Sequence, residues 1–140
     1  MKISLGFFLP LAGVFAFFTG CAQLAVPLPD LNRVISGTVT FAEPATVPAG
    51  AQMVIRVLDS TRADGMAKIV AQEVFKVSGP SPIAYKIEFR AEDALVQRGL
   101  SIEARIDFEG KAQLFNGNRY AITTANIAGP HEIVVEKMSR

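Results

Sequence analysis

The chain has 140 residues, with Lys+Arg 14 against Asp+Glu 13, one histidine, one cysteine, no tryptophan and a hydrophobic fraction of 50%. No basic run accompanies this near-neutral balance, which argues against a nucleic-acid partner, because such affinity is mostly phosphate neutralisation. A single histidine and a single cysteine give no support to a Ser-His-Asp or Cys-His constellation, a multi-histidine metal site or an internal disulfide, and no Gly-rich phosphate loop, HExxH or GxSxG is present. No enzyme activity, no cofactor and no small-molecule substrate is therefore expected.

Met1-Lys2 leads into an apolar run from Ile3 to Phe18 that is rich in phenylalanine and interrupted by Pro10. A short positive stretch ahead of an apolar one is the pattern of a secretory signal, expected over residues 1–20. Pro10, with Gly6 and Gly13, would leave a permanent membrane helix short and broken. The run closes as Phe18-Thr19-Gly20-Cys21, which resembles the lipobox of bacterial lipoproteins, with Phe18 where that motif usually has Leu. The resemblance implies cleavage after Gly20 and a covalent lipid on Cys21. Ala22 stands where Asp is associated with inner-membrane retention, so lipoprotein sorting implies the periplasmic face of the outer membrane. Loss of residues 1–20 removes only Lys2 among the charged residues, so 13 Lys+Arg then balance 13 Asp+Glu. Residues 21–32, with Pro27 and Pro29 and no period, read as the lipidated N-terminus and a tether reaching on the order of 30 Å.

From Arg33 to Met138 short β segments follow one another. Ile35, Gly37, Val39 and Phe41 alternate with Ser36, Thr38 and Thr40, a half-buried strand ended by Pro44, Pro48 and Gly50. Met53, Ile55 and Val57 mark a second strand. Asp59 to Gly65 is a polar connection suited to Asx-type bonding, and Lys68 to Val77 is a third strand. After Gly79-Pro80-Ser81-Pro82, Tyr85, Ile87 and Phe89 alternate with Lys86, Glu88 and Arg90. Residues 91–98 form one or two helical turns closed by Gly99. Ile102, Ala104, Ile106 and Phe108 carry the clearest period of two, and Glu109-Gly110 turns tightly into Lys111–Phe115. Asn116-Gly117 is another turn, Arg119–Thr124 a weak strand and Glu132–Lys137 the last. About seven strands with almost no helix predict one all-β domain over residues 33–138, an antiparallel β-sandwich or small barrel. Asp59, Asp64, Glu92 and Asp93 read as solvated acids, and His131 as a surface or edge residue.

Some apolar residues fall off the main phase: Val54 and Leu58 in the second strand, Val70 and Val74 in the third. One face of an antiparallel sheet is normally polar. Three readings are open: a loop covers these residues, a β-bulge resets the phase, or the four form an exposed patch that binds a partner.

Three blocks resemble the YbaY/YscW lipoprotein family, the type III secretion lipoprotein chaperones or pilotins. They are Gly37-Thr38-Val39 with Val47-Pro48-Ala49-Gly50-Ala51; Val57-Leu58-Asp59-Ser60-Thr61-Arg62-Ala63-Asp64 with Ile69-Val70-Ala71-Gln72; and Ile102-Glu103-Ala104-Arg105-Ile106 with Glu109-Gly110-Lys111. The resemblance implies a non-catalytic outer-membrane lipoprotein, held to the membrane by its lipid, that binds the C-terminal tail of a secretin and localises it. The alternative within the same family is a YbaY-like envelope lipoprotein with an unassigned protein or ligand partner and no role in secretion.

Overall fold

A computed structural model describes residues 29–61 and 65–138. The expected signal, Cys21 and most of the tether lie outside these residues, as do Arg62, Ala63 and Asp64 of the polar connection. The elements, in chain order, are β1 (Asn32–Phe41), β2 (Thr46–Asp59), β3 (Lys68–Pro80), β4 (Ile83–Arg90), α1 (Asp93–Arg98), β5 (Leu100–Phe108), β6 (Lys111–Phe115), β7 (Tyr120–Ile122) and β8 (Pro130–Lys137). The all-β architecture expected from the alternation is present, with one short helix.

The eight strands form one strongly curled sheet in the order β3-β2-β5-β6-β8-β1-β4, with β7 pairing separately onto β5. The terminal strands β3 and β4 are consecutive in sequence and lie side by side without a ladder between them. At this seam the Glu88 backbone N–H donates to Glu73 Oε1 at 3.4 Å. The sheet is thus a sandwich nearly closed into a barrel, and the β3–β4 seam carries charge, which discourages edge-to-edge pairing.

One feature departs from a wholly antiparallel arrangement. β8 runs parallel to β1, with Gly37 opposite His131 and Val39 opposite Ile133. Alternation reports which face a residue occupies but not the direction of the neighbouring strand, so this pairing had no local signal.

The core follows the period of two. Ile35 and Val39 of β1, Met53, Ile55 and Val57 of β2, Ile87 of β4, Ile102 and Ala104 of β5, and Val135 of β8 are fully inaccessible to solvent. Each such aliphatic side chain contributes about 1.5–3 kcal/mol by leaving water. Between β5 and β6 the register Phe108 opposite Lys111 leaves a two-residue loop. Both loop residues have positive φ, Glu109 at 51° and Gly110 at 74°, which matches the twist of the flanking strands.

His131 is 1% exposed, not a surface or edge residue. Its position in β8 has the inward phase of Ile133 and Val135, and the parallel pairing sets it beside Gly37 in the middle of the sheet. Its ring packs edge-on against Tyr120 with centroids 5.4 Å apart.

Helix α1 closes one end of the barrel, burying Val96. The start of β1 is tied there: Ala91 N–H donates to Leu31 O at 2.9 Å, Arg33 Nε donates to Ala91 O at 3.2 Å, and Arg33 pairs with Asp93. The β1–β2 connection, the β5–β6 hairpin and the end of β8 gather at the opposite end.

Candidate functional site

Two surfaces are candidates for binding. The first is the outer face of β3, β2 and β5, where the off-phase residues lie. The register stacks this face in rows: Leu58 between Ile69 and Ser101, Arg56 between Gln72 and Glu103, Val54 between Val74 and Arg105, and Gln52 between Lys76 and Asp107. Val54 and Leu58 are each only 5% exposed, whereas Val74 is 51% exposed. Arg56 donates to Gln72 Oε1 at 2.7 Å and to Glu103 Oε1 at 2.9 Å, so a polar row separates the two apolar ones. Val70 does not belong to this face. A bulge opposite Val57 and Leu58 leaves it without a register partner, and it is partly buried against the core. The bulge reading explains the phase slip in β3, and flanking side chains close over β2. Val54, Leu58, Val70 and Val74 therefore do not form one continuous exposed patch; the solvent-facing apolar groups here are Val74 and, across the polar row, Ile69, which is 49% exposed.

The polar connection after β2 begins as its composition suggested. Asp59 Oδ1 accepts the Thr61 backbone N–H at 3.0 Å and also the Thr61 hydroxyl. The Thr61 hydroxyl, followed by its backbone N–H, holds the Asp59 carboxyl below the usual carboxylate range. These bonds shape a turn. Among the described residues no group of three His, Cys, Asp or Glu side chains is placed to hold a metal ion.

The second surface is a groove of about 490 Å³ at the barrel end opposite α1. Its cause is local. β6 and β8 pair only at Leu114 with Lys137 and Phe115 with Glu136. In the β5–β6 ladder the register slips between Ile106 and Asp107, leaving Gln113 unpaired and bending β6 away. Ala112 is consequently exposed while Leu114, two residues on, is buried. The floor is apolar and continuous with the core: Val47, Ile106 and Leu114 are 6%, 1% and 7% exposed and line the groove. Met138, 53% exposed, adds a flexible apolar wall. The charged residues lining the groove are Lys111 and Lys137.

The groove was not foreseen from the sequence, because its residues come from the β1–β2 connection, β5, β6 and the end of β8. The one local hint was that Lys111–Phe115 fails to alternate cleanly, which is how a bulge reads in sequence.

Comparison with known proteins gives two findings. The family described as type III secretion system lipoprotein chaperone (YscW) matches residues 31–135, most of the chain and nearly all of the described fold. Among solved structures, an alternative pilotin from the type II secretion system of Vibrio cholerae superposes with a TM-score of 0.69 at 20% identity, covering 78% of this chain and 99% of that one. At that identity the likeness shows a shared fold. No curated protein matches at a significant level.

Proposed function

The chain belongs to the YscW family of type III secretion system lipoprotein chaperones, and on that premise we propose that it is a non-catalytic pilotin. In this reading Cys21 carries the lipid, Ala22 permits sorting to the outer membrane, and the β domain binds the C-terminal tail of a secretin and brings it to that membrane. The observation that carries the reading is the family match over residues 31–135. The fold shared with another pilotin supports it. Among the described residues no helix is long and apolar enough to cross a membrane, so in this reading the lipid supplies the attachment.

The geometry suits the task. β1 begins at the α1 end of the barrel and spans ten residues, about 33 Å of extended chain. A tether leaving β1 therefore starts at the end opposite the groove.

The test separates the anchor from recognition. Wild-type chain should incorporate an alkyne-labelled fatty acid and fractionate with the outer membrane, and the secretin should appear there with it. Cys21→Ser should lose the label and leave the secretin misplaced while still co-purifying with it. Labelling that survives Cys21→Ser would overturn the lipid assignment. A secretin that reaches the outer membrane normally in cells lacking this chain would overturn the pilotin reading.

A further inference from the structure

We propose that Asn116 is a modification site that the fold keeps closed: its amide deamidates through Gly117 when the chain is open, and the product cannot be built back into the barrel. Asn116-Gly117 is the only Asn-Gly pair in the chain. Glycine offers the least hindered backbone nitrogen to the side chain before it, since no Cβ stands beside the approach. The Gly117 nitrogen gives its proton to solvent base and attacks Asn116 Cγ. The new C–N bond closes a cyclic imide, the Cγ–Nδ2 bond breaks, and Nδ2 takes up a proton and leaves as ammonia. Water then adds to either imide carbonyl and reopens the ring, leaving aspartate or isoaspartate at position 116. Nothing is oxidised or reduced, and water is the only co-reactant.

In the fold this amide is engaged at both ends. Asn116 is 8% exposed. Its Oδ1 accepts the Ala104 N–H at 2.7 Å, and its Nδ2 donates to Ile102 O at 3.0 Å and to Asn118 O at 3.1 Å. Turning Cγ toward the Gly117 nitrogen breaks these bonds and leaves buried backbone groups of β5 unpaired. The segment is nevertheless weakly held. β7 is three residues long and ladders only with β5, and β6 meets β8 at two positions. Detaching it frees Asn116 without unfolding the rest of the barrel.

Once modified, the site does not close again. Either product sets an oxygen in place of the Nδ2 donor against Ile102 O, and Ile102 is 0% exposed. Isoaspartate also lengthens the backbone between β6 and β7, which shifts their shared register on β5. The fold itself does not require the glycine. Its φ lies outside the left-handed region, and a Cβ there would meet only the mobile end of the Glu136 side chain, at 2.9 Å. Gly117 thus serves the chemistry, and the chain carries a one-way mark of failure to stay closed.

Full-length chain in detergent is held in mildly alkaline buffer with and without concentrated urea, and the tryptic peptide Ala112–Arg119 is fragmented in the mass spectrometer at intervals. That peptide also carries Asn118, which Arg119 follows in place of glycine, as an internal control. Asn116 should convert at least about tenfold faster in urea than in the fold, because modification proceeds from the open form, and faster than Asn118 in the same sample. Gly117→Ala should slow conversion in urea by about tenfold or more, through the added Cβ, and leave the melting temperature unchanged. After urea is removed, the refoldable fraction of the wild type should fall in step with conversion, while Gly117→Ala should refold throughout. Equal rates with and without urea overturn the protection by the fold. A converted chain that refolds to the wild-type melting temperature overturns the one-way mark. A melting temperature that drops sharply in Gly117→Ala shows that the fold needs the glycine, and overturns its assignment to the chemistry.

Discussion

Asn116 offers a sharp test of how two short strands are held on one edge of β5. β7 pairs with Leu100–Ile102 and β6 with Arg105–Phe108, which leaves the stretch between them without a strand. Asn116 fills it. Its backbone N–H donates to Ala104 O at 3.0 Å, its Oδ1 accepts the Ala104 N–H at 2.7 Å, and its Nδ2 donates to Ile102 O at 3.0 Å and to Asn118 O at 3.1 Å. Ala104 and Ile102 are 0% exposed, so Asn116→Ala strands one buried N–H and one buried carbonyl. Each unsatisfied group costs about 1–3 kcal/mol, so the pair costs about 2–6 kcal/mol, and even about 3 kcal/mol is a large part of a total near 5–15 kcal/mol. For a domain of roughly this size the melting temperature should fall by about 12–24 °C. Asn116→Asp adds discrimination: it keeps an acceptor for Ala104 but turns a second oxygen toward Ile102 O, so at neutral pH it should cost at least as much. A residue that merely formed a turn would tolerate Asp well. Urea unfolding followed by far-ultraviolet circular dichroism and by emission from the two tyrosines reads the change, with no tryptophan to obscure it. A free energy for Asn116→Ala within about 0.5 kcal/mol of wild type would refute the ladder role.

Four further outcomes are expected. Gly37→Ala should prevent folding or cost several degrees of melting temperature, because a Cβ at Gly37 meets the backbone carbonyl of His131 across the parallel β1–β8 pair; soluble yield and thermal melting check it. His131→Phe should be neutral or stabilising, since both ring nitrogens are buried without partners and an apolar ring removes their desolvation cost; a loss above about 2 kcal/mol would mean that those nitrogens are satisfied. Burial first, and then the charge interaction with Tyr120, hold the Tyr85 phenol above its ordinary value of 10.0. The unfolded chain therefore releases that proton first, and the stability Tyr85 contributes is complete below pH 10 and lost as pH rises above it; Tyr85→Phe should flatten this alkaline decline in unfolding free energy. Ile106→Asp should abolish the fold by burying an unpaired carboxylate at a position 1% exposed, whereas Arg105→Gln, on the opposite face, should cost about 1 kcal/mol or less; equal sensitivity would contradict the assignment of faces.

Much of this protein was legible in its sequence, because the relevant physics is local. A period of two assigns a residue to a face whatever its neighbours are, so the inward sets of β1, β2, β4 and β5 could be written from alternation alone. Turn chemistry is equally local: Glu109-Gly110 closes a two-residue hairpin, and Asp59 caps its own turn through Thr61. Of the three sequence blocks, Gly37 sits at a close backbone approach and Asp59 in a turn, while Val47, Pro48, Ile106 and Lys111 line the groove.

Tertiary structure alone decided what depends on partners distant in sequence. That β8 lies parallel to β1, and so buries His131, follows from a strand returning to a free edge across the sheet. That Val54 and Leu58 are covered while Val74 is not follows from the strand order, in which β2 is flanked by β3 and β5 while β3 is a terminal strand. The groove exists because β6 bends at a bulge while β8 and the β1–β2 connection end at the same mouth. Alternation carries no information about which strand ends will meet, because that is settled by the pairing order and the closure of the whole sheet.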